Sequence, residues 1–320
     1  MKSTLHRTTS PPPTGLSPPQ APAPPRTLDP AEQAKENQRG ILFMVLSVTL
    51  FAAHTLILRH LGTTRQVDFS VALLFRAVIG AIIVFAFFPS RRPLQIIPVF
   101  THPQLIWRGI FGIIGTAAFY WSIPHLGAGK ATMFSNTYVL FGTVFAALFL
   151  HEYLSRKRIF ALGVAFAGLV ILSSAIPSTG AGHNPYAVAV ALFGALIAAA
   201  TVVLIRHLTT HYSNATIFLS QCAWITIAAL PLALFRADWH LTSHDIGLLT
   251  AAAVMAAYGQ LAMVQGFRLL NVASGASIQM ALPVITAIGG FALFGEAFTP
   301  TQLAGAALLL AGTYVVATRK

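Results

Sequence analysis

The chain has 320 residues, of which 56% are hydrophobic and 9% charged, and its formal net charge is +12. A soluble globular domain carries about 45–50% apolar and about 25% charged residues, so 28 charged side chains could not cover the surface of a single soluble core this size. Disorder over the full length and a disulfide scaffold are excluded as well, because the chain is too apolar and holds one cysteine, Cys222, within an apolar run.

Residues 1–38 hold nine of the 19 prolines and almost nothing apolar to bury, which predicts a disordered, cytoplasmic tail. No apolar h-region follows the early basic residues, so the tail does not read as a secretory signal. From Gly40 onward the chain reads as ten apolar segments: 40–58, 69–89, 105–124, 130–150, 157–175, 186–205, 215–235, 246–266, 273–294 and 301–317. Each is near the ~20 residues that cross ~30 Å of hydrocarbon as helix. Short turn-forming links such as Pro89-Ser90-Arg91-Arg92-Pro93 and Pro177-Ser178-Thr179-Gly180 join them, with no room for a separate soluble domain.

The basic residues lie between these segments instead of gathering on one face, so they report topology and not a nucleic-acid surface. With the N-terminus inside, thirteen Lys and Arg, including Arg39, Arg91, Arg92, Arg108 and Arg158, fall on the inner side. Four fall outside: Arg59, Arg65, Lys130 and Arg236. This bias predicts a multi-pass protein of the cytoplasmic (inner) membrane with both termini in the cytoplasm.

The chain repeats internally. Arg59-His60-Leu61 closes the first segment and Arg206-His207-Leu208 the sixth; Glu152 and Gly168 are 16 apart, as are Glu296 and Gly312. Residues 122–173 align without gaps on 266–317. The reading is two homologous halves, 39–176 and 185–318, of five spans each. Because five is odd, the second half enters the membrane from the opposite side. The predicted fold class is thus an all-α polytopic membrane protein with ten transmembrane helices in two inverted five-helix repeats. That architecture supports alternating access around a site near the midplane.

Ten spans in two halves, Phe75-Arg76-Ala77 in the second span, the acidic turns Leu150-His151-Glu152 and Phe294-Gly295-Glu296, and Pro283 in the ninth span carry a resemblance. The stretch 40–318 resembles the EamA family of the drug/metabolite transporter superfamily. Val139 stands opposite Pro283 and His151 opposite Gly295, departures that would let the two halves bend differently. The resemblance implies a small-molecule carrier, often an exporter, of solutes such as amino acids, nucleoside-like metabolites or drugs.

Candidate substrate-binding residues follow from polar groups inside apolar runs. Arg76 leads, since a guanidinium within a span costs at least ~2.5–3.5 kcal/mol on insertion scales and faces a cavity or a partner. It could hold a substrate carboxylate or phosphate, or bond the carbonyls of a neighbouring helix. His54 could bind solute or exchange a proton, or serve as a satisfied packing residue. Asn136, Tyr138, Gln221, Tyr258, Gln260 and Gln279 could face one cavity, although interhelical hydrogen bonds are the ordinary use of such side chains. Tyr120, Trp121 and Trp107 read as an aromatic belt, with Tyr120 as a possible lining residue. The acidic turns read as helix starts, with Thr299-Pro300-Thr301-Gln302 fitting a capping box. Gly109, Gly112, Gly115, Gly163, Gly168, Gly289 and Gly290 read as close-packing positions.

All eight acidic residues lie in the tail, in loops or at span ends, so no buried carboxylate relay is expected. No metal-binding, hydrolase-elbow or phosphate-loop motif occurs, and neither a cofactor nor a metal nor an enzymatic activity is expected. The expected partners are a small-molecule solute and the lipid bilayer, with no nucleic acid. A channel and a multi-span membrane enzyme are the competing classes.

Overall fold

The computed structural model describes residues 30–87, 94–149, 155–174, 185–208, 211–237, 239–270, 275 and 278–318. The expected disordered tail before Pro30, the basic link at Arg91 and Arg92, the link at Pro177, and the turn holding His151 and Glu152 lie outside the described residues. The described elements are helices throughout. In chain order they are α1 (Pro30–Thr63), α2 (Phe69–Phe87), α3 (Ile97–Thr101), α4 (Pro103–Leu126), α5 (Ala128–Asn136) and α6 (Tyr138–Phe149). They continue with α7 (Arg156–Ser174), α8 (Pro185–Leu208), α9 (Asn214–Arg236), α10 (Ser243–Leu269), α11 (Ala281–Phe294) and α12 (Pro300–Thr318).

Among the described residues, four stretches, Ala34–Thr63, Phe69–Ala86, Asn214–Phe235 and Ser243–Gly266, are long and apolar enough to cross a membrane by length and composition. The chain is a polytopic membrane protein, and its elements are all helical among the described residues. Its outward faces are apolar: Phe85, Phe160, Phe235, Ile288 and Leu293 are all more than half exposed, which only a lipid environment tolerates on this scale.

Helix boundaries follow local chemistry. Asp68 starts α2 by accepting the Ser70 amide at 2.8 Å. Ser213 caps α9 through the Thr216 amide, and Thr242 with Asp245 forms a reciprocal capping box on α10. Thr299 and Gln302 bond each other's backbone amides, at 3.1 and 3.2 Å, with Pro300 at the first helical position as the sequence predicts. At the other end, α1 begins at Pro30, ten residues ahead of the apolar run. Its 34 residues span about 51 Å, so its first turns lie beyond any hydrocarbon layer.

Two predicted spans are interrupted. The fourth breaks at Thr137, between α5 and α6, where the hydroxyl folds back onto the Phe134 carbonyl at 2.6 Å. The ninth breaks at Met280, ahead of α11. Pro283 therefore does not distinguish the two halves: both are interrupted at corresponding positions.

The packing pairs α1 with α10 and α4 with α8, α2 with α9, and α7 with α12; α4 also meets α9 as α2 meets α10, and α5 meets α11. Small residues permit the tightest crossing. A Cβ at Gly168 would lie 2.3 Å from the Leu309 amide nitrogen, one at Gly305 2.6 Å from that of Leu172, and one at Gly312 2.6 Å from that of Ala165. The backbones of α7 and α12 thus touch. Gly163, expected to serve the same purpose, faces open space instead.

Candidate functional site

Helix α4 organises the polar interior. Arg108, Gly112, Thr116 and Tyr120 recur every four residues, which stacks them on one face and spreads them over about 18 Å of rise. At the upper end, where Trp121 and Pro124 lie, a cavity of about 570 Å³ opens between α1, α2, α4 and α9, with Tyr120, Asp68, Ser70 and Leu61 in its lining.

Tyr120 is 3% exposed and joins the two leading candidates. The Nδ1 of buried His54 lies 2.8 Å from the Ala252 carbonyl of α10, which only accepts, so Nδ1 carries the proton. Nε2 then accepts from the Tyr120 hydroxyl at 2.9 Å. The same hydroxyl oxygen accepts from Arg76 Nη1 at 3.2 Å, and the Arg76 guanidinium lies 5.8 Å from the Tyr120 ring centroid. A chain of donors and acceptors thus runs from α2 through α4 and α1 to α10. Tyr120 is an interior hydrogen-bonding residue and not part of an aromatic belt. Trp107, 54% exposed, does face outward as a belt residue would.

Below this cluster, Gln221 of α9 bridges two members of the α4 stripe. Its Oε1 accepts from Arg108 Nη2 at 2.8 Å and its Nε2 donates to Thr116 Oγ1 at 3.2 Å. The remaining candidates lie apart from this network. Gln279 donates to Ser47 of α1 at 3.3 Å. Asn136 ends α5 with its buried Nδ2 unpaired among the described residues. Tyr138 opens α6 and Gln260 sits in α10, both half-buried, while Tyr258 is exposed. The structure therefore joins His54 and Arg76 through Tyr120, and places Gln221 with Thr116 and Arg108 in a second network on the same face of α4.

A second polar junction lies at the same end as the cavity. Gly127, with φ +89°, turns the chain sharply between α4 and α5, and Glu296 occupies the space this leaves. Its carboxylate accepts from the Ala128 amide at 3.0 and 3.3 Å, at the positive end of α5, and pairs with Arg59 Nε at 2.5 Å. Arg59 also donates to the Pro124 carbonyl. A Cβ at Gly127 would approach the Glu296 Cδ to 2.7 Å on a backbone whose φ of +89° already calls for glycine, while one at Gly290 would press on Oε2, the movable end of the Glu296 side chain. Glu296 thus reaches back to α5 instead of starting the helix that follows it. Nearby, Arg65 donates to both carboxylate oxygens of Asp245 at 2.7 and 2.9 Å, which holds the Arg65 guanidinium above its ordinary pKa.

The sequence reading missed Arg108. Counted there as an inner-side topology residue, it is 6% exposed and sits inside the bundle. The four-residue spacing from Arg108 to Tyr120 was the available signal. Twelve inner basic residues against four outer ones leave the charge bias in place.

The model of the EamA-like transporter family matches residues 38–174 and again 185–318. The chain belongs to the EamA-like transporter family. This EamA-like chain is 25% identical over 228 residues to the pseudopaline exporter of Pseudomonas aeruginosa, covering 71% of the chain and 78% of that protein. It is 24% identical over 282 residues to the S-adenosylmethionine uptake transporter of Rickettsia felis, covering 87% and 92%. A crystal structure shares the fold with a TM-score of 0.56 at 18% identity, over 87% of this EamA-like chain and 95% of the other. By name, the first of these relatives is an exporter and the second an uptake transporter.

Proposed function

We propose that the chain is a secondary carrier of the cytoplasmic membrane, exporting a small metabolite such as an amino acid or related solute by alternating access between two inverted five-helix repeats. The observation that carries this reading is the symmetry of the packing. Exchanging the halves turns the α1–α10 pair into α8–α4, the α4–α9 pair into α10–α2 and the α6–α8 pair into α11–α1, and returns α2–α9 and α7–α12 to themselves. The breaks at Thr137 and Met280, and the glycines Gly168 and Gly312, follow the same exchange. The double match of the family model gives independent support for two halves.

In this carrier His54, Arg76 and Gln221 form the solute-facing network with Tyr120, and Asn136, Tyr138, Tyr258, Gln260 and Gln279 complete the path in other states. The Arg59–Glu296 pair closes the outer end. The N-terminus and C-terminus lie in the cytoplasm. Saturable exchange of labelled amino acids by the full chain in proteoliposomes, with no unitary conductance in planar bilayers, is the expected result. Unitary currents, or failure to exchange any small solute, would overturn the carrier. Accumulation in inside-out vesicles tests the outward direction.

A further inference from the structure

We propose that Arg76 and Arg108 form an anion site between α2, α4 and α9, and that the transported solute is held there by a carboxylate or phosphate group. The proposal rests on the carrier reading above and names the chemistry of what is carried.

Arg108 is more than nine-tenths buried. Its Nη2 is taken by Gln221, yet Nε and Nη1 are buried without a partner among the described residues. The ion pairs among those residues are Arg59–Glu296 and Arg65–Asp245, so no carboxylate balances Arg108 or Arg76. A guanidinium left in a low-dielectric interior with open donors is strongly disfavoured unless something supplies the missing acceptors. Gln221 is itself oriented by Thr116, and Arg108 is held in place by a neutral oxygen that leaves its charge uncompensated.

The space around the guanidinium is kept by glycine. A Cβ at Gly112, one turn after Arg108, would lie 2.8 Å from Nη1 and 3.0 Å from the Gln221 Cγ. Arg76 approaches from the other wall. One turn after it, the position of a Cβ on Gly80 is 3.1 Å from the Cys222 Sγ, so this face of α2 meets α9 beside Gln221. Arg76 donates to Tyr120, which lies on the same face of α4 as Arg108. Nη2 carries one N–H on each planar edge and Gln221 takes one of them, so the other edge, which pairs the remaining Nη2 hydrogen with an open donor, is the one an oxyanion with two oxygens fits. A site of donors alone selects an acceptor, and burial inside the bundle favours a solute over a lipid headgroup.

The test is thermal-shift titration of the purified full chain with succinate, L-glutamate and inorganic phosphate, against glucose and choline at matched ionic strength. At least one anion should stabilise the wild type saturably, with apparent Kd weakened at least tenfold in R108Q and R76Q and by less in R108K. G112A, which keeps both charges but crowds Nη1, should also weaken binding, so the proposal stays testable should R108Q not fold. Whether succinate and glutamate or phosphate compete best distinguishes carboxylate from phosphate. An added anionic lipid, phosphatidylglycerol, should leave the titration unchanged; if it replaces the soluble anions, the solute assignment fails. Absence of saturable stabilisation by all three anions, or equal affinity in R108Q, R76Q and wild type, would overturn the site. Anion binding without solute exchange in proteoliposomes would remove the carrier and spare the site, whereas exchange of neutral solutes unaffected by R108Q would do the reverse.

Discussion

Replacing Glu296 probes the junction that joins the end of α11 to α1 and α5. The wild-type carboxylate accepts from the Ala128 amide with both oxygens and from Arg59, with side-chain exposures of 18% for Arg59 and 14% for Glu296. An exposed ion pair is worth about 0–1 kcal/mol, and breaking a fully buried one costs about 3–5 kcal/mol; this pair, mostly but not fully covered, falls between, at about 1–3 kcal/mol. The anion at the first turn of α5 adds about 0.3–1 kcal/mol. E296Q, which keeps the shape and one acceptor, should lose about 1–2 kcal/mol, and E296A about 2–4 kcal/mol with a void between Gly127 and Gly290. The assay is a double-mutant cycle of R59Q, E296Q and the pair, read by chemical denaturation in detergent. Contacting partners should couple by about 0.5–3 kcal/mol. Effects that add within about 0.5 kcal/mol would refute the argument that the two side chains stabilise one another.

Three further outcomes are expected. G168A should lower the melting temperature, because its Cβ would meet the Leu309 backbone nitrogen at 2.3 Å, while G163A, facing open space, should be neutral or stabilise by up to ~1 kcal/mol through helix propensity. Y120F removes the donor to His54 and the acceptor for Arg76; a loss of about 1–3 kcal/mol with a raised KM for solute in proteoliposomes is expected, and an unchanged KM would detach Tyr120 from the path. H54Q should leave the pH profile of transport unchanged in a proteoliposome uptake series across pH 5–8, because the buried imidazole donates from Nδ1 to Ala252 and accepts at Nε2 from Tyr120 and is thereby held neutral; a flattened profile would instead make His54 a proton carrier.

Much of the helical content was legible because apolar run length and turn chemistry are local: α2 starts at Phe69 as read, and the Thr299–Gln302 box closes as its spacing implies. The close crossing through Gly168 and Gly312 was also visible, as small residues at matched positions of two halves. What escaped notice was set by long-range packing. Arg108 looked like one of many basic residues at a span end, and only the position of α9 decides that it is buried with Gln221. Glu296 meets partners 168 and 237 residues away, a contact that its local sequence, which reads as a turn, does not encode. The break at Thr137 has no proline to announce it, and the hydroxyl-to-carbonyl bond found there also occurs inside the unbroken helices at Thr132 and Thr286.

The Glu296 junction is made from one residue of the second half and three of the first, Arg59, Gly127 and Ala128. Any rocking of one half against the other that opens this end has to separate them. Charged and backbone polar groups are readily rehydrated once parted, whereas an apolar seal would leave hydrocarbon facing water. Its stickiness should therefore vary with ionic strength more than with temperature, which would make salt a mechanical lever on how fast this end of the bundle opens.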